Sequence, residues 1–235
     1  IQGDYNTITG TIIHTNSVQG IHIATGNHNI ITNINSSNNA GNGVNFVAAS
    51  NNTLTNSIFN DNQNGVFMQF ANYHNFNNLT SNGNNGALFF NEASFNNFTN
   101  ITMDSNEIGI YFFASSSEYN HFNGFRVTGS TQPAFGAVVI PTGVSNNTFE
   151  NGYINDTVKY GIQMYSYGGI TNNNVFRNIL INNSGHSDFR VETTGGGVSL
   201  NNTLINVTYP KADNVSQLGG VITYIRKWYF SPQVN

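Results

Sequence analysis

Residues 147–156 read Asn147-Thr148-Phe149-Glu150-Asn151-Gly152-Tyr153-Ile154-Asn155-Asp156, and a second apolar run opens at Gly161-Ile162-Gln163-Met164. The pattern recurs in both directions. Asn6, Asn29, Asn52, His74, Asn96, Asn120, Asn147, Asn174 and Asn202 fall in one column, at steps of 23, 23, 22, 22, 24, 27, 27 and 28 residues. Two positions after each comes an apolar residue: Ile8, Ile31, Leu54, Phe76, Phe98, Phe122, Phe149, Phe176 and Leu204. Four positions after it comes Asn or Gly in every unit, from Gly10 and Asn33 to Asn206. A third column is a Gly opening an alternating apolar run: Gly20, Gly43, Gly65, Gly86, Gly109, Gly136 and Gly161, with Asp188 in the eighth unit.

Each unit is too short for a strand–helix–strand element and carries no helical period. It holds two or three short strands separated by Asn, Gly and Ser turns. One such unit leaves its apolar face open, whereas stacked units bury a continuous column. The sequence therefore predicts an all-β fold: a single-stranded right-handed parallel β-helix (β-solenoid) of about nine coils, 22–28 residues each. At about 4.8 Å per coil the rod is roughly 40 Å long. Residues 1–208 are expected to form the β-helix and 209–235 a C-terminal exit or capping segment.

Composition agrees and excludes alternatives. The chain has 235 residues, of which 45 are Asn, while charged residues make up 8% and the net charge is -4. Asn tolerates the left-handed backbone of sharp corners, and its amide can hand hydrogen bonds from coil to coil. All seven Lys and Arg lie at or after Arg126 without clustering, so nucleic acid is not an expected partner. An apolar content of 38% is enough for a core, and no apolar run reaches the roughly 18 residues of a membrane span. Zero cysteine removes disulfides and thiolate metal sites. With no initiator Met, the chain reads as a processed piece of something longer.

The unit Asn147–Asp156 closing in Gly161-Ile162-Gln163-Met164 resembles the repeats of right-handed parallel β-helix proteins. These include the NosD-like, periplasmic copper-binding family and the carbohydrate-binding and sugar-hydrolase repeat domains of the pectate-lyase-like superfamily. The resemblance covers roughly residues 5 to 208 and implies the fold; such repeats carry lyases, hydrolases, epimerases, adhesins and surface arrays. The tail from Asn202 through Lys227-Trp228-Tyr229-Phe230 resembles the exit from solenoids of large archaeal cell-surface proteins.

Alternation along the Gly-led strand points every second residue to solvent. Counted from the Gly, the outward residues are His22/Ala24, Asn45/Val47, Phe67/Gln69, Leu88/Phe90, Tyr111/Phe113, Val138/Ile140, Gln163/Tyr165 and Arg190/Glu192. The expected partner- or glycan-binding surface is therefore Phe67, Leu88, Phe90, Tyr111, Phe113, Val138, Ile140 and Tyr165. An apolar patch with polar ends marks a contact surface. Aliphatic residues favour self-association or a neighbouring surface protein, aromatic ones a polysaccharide. In a third arrangement, longer loops such as Ala114–Tyr119 or Ser166–Thr171 fold over it.

Catalysis has one candidate group. Lys159 and His186 each lie twelve residues after an anchor, with Asp156, Asp188 and Arg190 near them. A basic side chain with an acid and a neutralising cation suits uronide β-elimination. Glycoside hydrolysis needs two carboxylates about 5 to 9.5 Å apart, for which Asp156 and Asp188 are the nearest pair. Glu150 and Arg177 share a column and are expected simply to pair. The polygalacturonase motifs (Asn-Thr-Asp, Asp-Asp, Gly-His-Gly, Arg-x-Lys), the Arg-x-Pro-x-x-Arg of pectate lyases and clustered calcium carboxylates are missing from the sequence. His14, His22, His28, His74, His121 and His186 are spread along the solenoid, so no metal site and no cofactor are expected; His74 replaces an anchor Asn.

Eleven Asn-x-Ser/Thr triplets start at Asn35, Asn51, Asn78, Asn97, Asn100, Asn146, Asn155, Asn182, Asn201, Asn206 and Asn214 and are glycosylation candidates. Together these features read as an extracellular or cell-surface, non-catalytic solenoid with a structural, assembly or adhesive role. The alternative is a polysaccharide-active enzyme (lyase, hydrolase or epimerase) or glycan-binding module.

Overall fold

The computed structural model describes residues 1–113, 116–211, 214–218 and 220–228. The chain winds as a right-handed parallel β-helix, and every strand pairs in parallel with its equivalent one coil away. One sheet runs through Thr7–Thr9, Ile30–Thr32, Thr53–Asn60, Asn75–Asn82, Asn97–Asp104, His121–Thr128, Thr148–Asn155, Val175–Asn182 and Val198–Thr208. The second runs through Ile21–Ala24, Val44–Val47, Asn64–Gln69, Gly86–Asn91, Ile108–Phe112, Gly136–Ile140, Tyr160–Tyr167, Ser187–Thr194 and Asn214–Leu218. Val221–Lys227 continues the first sheet beside Val198–Thr208.

The corners explain the asparagines. The column four residues after each anchor is left-handed in all nine units, for example Asn33 (φ 56°), Asn78 (φ 55°), Gly124 (φ 70°) and Asn178 (φ 51°). An ordinary L-residue there costs roughly 1–2 kcal/mol, which Asn and Gly largely avoid. The anchors form a second device, an internal amide ladder. The backbone N–H and Nδ2 of Asn29 both donate to Asn52 Oδ1, at 2.8 and 2.9 Å. The same pairing runs Asn96 to Asn120, Asn147, Asn174 and Asn202. His74 substitutes as expected, its Nδ1 accepting the Asn52 N–H at 3.0 Å. Burial holds the pKa of this ring down to about 4.

A parallel ladder ten residues further on, Asn16–Asn39–Asn62–Asn84–Asn106, lines the next corner. Between the two sheets lies the core. Phe76, Phe98, Phe122, Phe149 and Phe176 are fully buried and stack face to face at 4.5 to 5.1 Å. Removing each ring from water contributes about 1.5–3 kcal/mol. A Cβ on Gly161 would lie 2.3 Å from Ile181 Cγ2, so this column stays small where the second sheet begins.

Candidate functional site

The outer face of the second sheet carries the cleft. Its register differs from a count started at the glycines in two coils. Leu88 pairs with Val66 and Ile110, and Val138 with Ile110 and Ile162, so these residues point inward. Leu88, Phe90, Val138 and Ile140, expected on the surface, are all fully buried. The outward column instead reads His22, Asn45, Phe67, Phe89, Tyr111, Val139, Gln163 and Arg190. The reason is that Ala87, not Gly86, holds the small-residue column, thirteen residues after its anchor like Gly65 and Gly109. A count from the anchor instead of the glycine places it correctly. In the Gly136 coil an insertion before the strand hides the same shift.

Phe67, Tyr111, Phe113 and Tyr165 do lie on the outer face, joined by two rings the sequence reading missed, Phe89 and Phe135. Phe67 stacks on Phe89 at 5.1 Å, Phe89 meets Tyr111 edge-on at 5.2 Å, and Phe135 bridges Tyr111 (5.9 Å) and Tyr165 (6.5 Å). Phe135 comes from the insertion before Gly136 and lies between Tyr111 and Tyr165, and Val139 is fully buried despite its outward column. Ala114 and Ser115 of the expected Ala114–Tyr119 loop lie outside the described residues.

Phe135 also divides two hollows. The larger, about 420 Å³, is lined by Phe135, Gln163, Tyr165, Tyr167, Glu192 and Thr194. The smaller, about 190 Å³, includes Phe89, Glu107, Tyr111 and Gln132. Burial raises the pKa values of Tyr111 and Tyr165, and Tyr165, which also feels the Tyr111 charge, is pushed up to about 12. Both phenols therefore stay protonated and serve as hydrogen-bond donors.

At the C-terminal end the face turns polar. The Arg190 guanidinium lies 4.8 Å above the Tyr160 ring, its Nη1 donates to the Tyr160 hydroxyl, and its Nε and Nη2 donate to Glu192 Oε2 at 3.1 and 2.6 Å. Lys159 Nζ sits 5.5 Å from the same ring and His186 packs on its edge at 5.4 Å. The expected stacking of Lys159 and His186 is seen in the His186 N–H donating to the Lys159 carbonyl at 2.8 Å.

The two aspartates of that group go elsewhere. Asp156 is an exposed left-handed corner, accepting from Asn155 and Asn183. Asp188 is fully buried in the glycine column, accepting the Lys211 N–H at 2.7 Å. No hydrogen bond or ion pair joins the side chains of Asp156, Lys159, His186 and Asp188 among the described residues. Glu150 and Arg177 pair at 3.4 Å, with His121 on the other Glu150 oxygen at 2.9 Å.

Residues 1–128 match the profile of the family described as NosD, periplasmic copper-binding protein. The chain belongs to the NosD family. Its residues do not fit a copper site. Soft or imidazole ligands are what copper selects, yet Met68, Met103 and Met164 are sealed in the core of this NosD-family chain. Nδ1 of His14 pairs with Thr15 and that of His22 with Asn45, and His74 is inside the ladder. Among the described residues no three His, Cys, Asp or Glu side chains converge.

Solved structures with the same fold include the enzymatically active domain of bacteriophage CBA120 tailspike protein 2, at TM-score 0.69 and 9% identity over 92% of this chain and 38% of that one. The catalytic unit of the GH87 α-1,3-glucanase of Streptomyces thermodiastaticus strain HF3-3 aligns at TM-score 0.65 and 14% identity, over 97% of this chain and 50% of that one. The alginate lyase of Paenibacillus sp. str. FPU-7 aligns at TM-score 0.57 and 13% identity, over 93% and 98%. At these identities the likeness is one of fold, and this chain spans well under two thirds of the tailspike domain and the glucanase unit. Among curated proteins no sequence matches significantly.

Proposed function

We propose that this chain is a glycan-binding module that lays a polysaccharide along the outer face of its second sheet. The observation that carries this reading is the row of half-exposed rings Phe67, Phe89, Tyr111, Phe113, Phe135 and Tyr165, with a hollow on each side of Phe135. Apolar ring surfaces meet the C–H faces of sugars, while Gln163, Glu192 and the Tyr111/Tyr165 hydroxyls supply the few polar contacts that orient a ligand. Solved structures of similar fold that act on glucan and alginate favour the same partner class.

A structural or assembly role rested on an aliphatic contact face. Leu88, Val138 and Ile140 are inside, which removes that support. Cleavage by paired carboxylates is disfavoured by distance. Glu107 and Glu192, the acids of the two hollows, lie three strands apart, and Glu107 shares the His186 column, six residues before Glu192. Three strand spacings alone are roughly 14 Å, beyond the about 5–9.5 Å that glycoside hydrolysis uses.

The family description, and similar folds that act on glycans, favour a place outside the cytoplasm, extracellular or periplasmic. Among the described residues no helix is long and apolar enough to cross a membrane. Residues 209–235 are assigned to capping the solenoid formed by 1–208.

Affinity electrophoresis in gels cast with alginate, α-1,3-glucan or a neutral β-glucan tests the proposal. Retardation by at least one polymer, abolished in a Phe135→Ala/Tyr165→Ala double variant that keeps its melting temperature, is expected. Mobility unchanged in all gels, or retardation that survives the double substitution, overturns it. Release of unsaturated sugars from a uronic-acid polymer, lost in Lys159→Ala, would replace binding with lyase chemistry.

A further inference from the structure

One corner of the solenoid is built differently from the rest. The residue just before each anchor is left-handed in all nine units, and four of them use Asn: Asn51, Asn146, Asn173 and Asn201. The other five are Tyr5, His28, Tyr73, Phe95 and Tyr119, bulky rings at φ 56° to 61°, where their Cβ is disfavoured. Both groups of rings are stacked. Tyr5 and His28 lie 5.0 Å apart and 6° from parallel; Tyr73, Phe95 and Tyr119 follow at 4.9 and 5.0 Å, within 11° of parallel. They are solvent-exposed, Tyr73 to 56% and Tyr119 to 51%, so ordinary core burial does not account for them.

The two stacks are interrupted by a single coil, whose corner residue is Asn51. From His28 to Tyr73 is therefore two coil steps, about 10 Å. That leaves about 5 Å between each ring and a third ring midway, the spacing at which the aromatic pairs themselves stack. Asn51 is exposed and starts the triplet Asn51-Asn52-Thr53. Its side chain makes no hydrogen bond among the described residues, whereas Nδ2 of Asn78, Asn97, Asn155, Asn182 and Asn206 each donates to a neighbouring side chain.

We infer that Asn51 is a glycosylation site whose first sugar sits between the His28 and Tyr73 rings and makes the outer aromatic column continuous. In the transfer, Asn51 Nδ2 forms a bond to the anomeric carbon of a lipid-diphosphate-linked oligosaccharide. The bond from that carbon to the phosphate oxygen breaks, the lipid diphosphate leaves with the electron pair, and the amide gives up one proton. Asn146 is the weaker second site, with the Tyr119 face on one side only and its Oδ1 engaged by Asn173 at 3.2 Å. Asn201 has no aromatic neighbour in its column. This site lies on a different corner from the proposed glycan cleft and does not depend on it.

The test is secretion of the full chain from a host that attaches N-acetylglucosamine-based oligosaccharides, followed by glycopeptide mass spectrometry and trimming to one sugar. Asn51 is expected to be the most fully occupied triplet. The single-sugar protein is expected to melt about 2 °C above Thr53→Val, which removes the triplet and leaves Asn51 at its left-handed corner. Because His28→Ser and Tyr73→Ser change stability by themselves, each is measured with and without the sugar; the gain should vanish in the double variant. A bare Asn51, or an occupied one whose sugar leaves the melting temperature unchanged or stabilises the ring-less variant equally, overturns the inference.

Discussion

Of the aromatic columns along this solenoid, one lies inside and another on the outer face of the second sheet. Inside, five phenylalanines from Phe76 to Phe176 are fully buried, within 10° of parallel and evenly spaced. Outside, the rings from Phe67 to Tyr165 meet at angles from 21° to 90° and are half-buried, with Phe113 exposed. Close packing forces the inner column into one geometry, because each ring is clamped by coils above and below. The outer rings rest on the sheet and on one another but are not sealed from solvent, so the outer column keeps area free for a ligand. The same residue type serves stability in one place and recognition in the other, and neighbours decide which.

The largest expected break is inside. Phe122→Ala should lower unfolding stability by about 3–5 kcal/mol, read from the denaturant midpoint at unchanged slope. Phe113→Ala, on the outer face, should stay within about 0.5 kcal/mol of the parent in the same measurement; a loss matching that of Phe122 would erase the distinction.

A polar fault in the interior comes next. Burial lowers the His74 pKa from 6.5 to about 4, so its neutral form contributes fully above the unfolded value. That contribution falls away as pH drops from about 6.5 toward about 4, in total about 3 kcal/mol. His74→Asn restores an amide to the ladder and should flatten stability across this window, as followed by urea titrations at several pH values. A parallel decline in the variant would shift the cause to other groups.

On the outer face, Phe135→Ala should weaken polysaccharide binding about tenfold, roughly 1.4 kcal/mol, by calorimetric titration. The smallest effect concerns pH. With Tyr165 pushed up to about 12 and Tyr111 raised, affinity should change less than about twofold between about pH 7 and about pH 10. A binding loss centred near 10 would mean that these hydroxyls are solvated like free tyrosine.

Sequence alone determined the coil, its period and its corners, because anchors such as Asn29 and Asn52 and corner residues such as Asn78 and Gly124 act through local backbone geometry and through neighbours at a fixed period. It also gave the inward Phe column and the place of His74. Tertiary structure decided which way Val138 and Val139 face, since a one-residue slip reverses every side chain of a strand and, behind the insertion before Gly136, only pairing with Ile110 and Ile162 fixes it. It also decided that Phe135 folds onto the sheet and that Asp188 turns inward onto Lys211. Those arrangements depend on residues distant in sequence and on an insertion outside the repeat, so no periodicity encodes them.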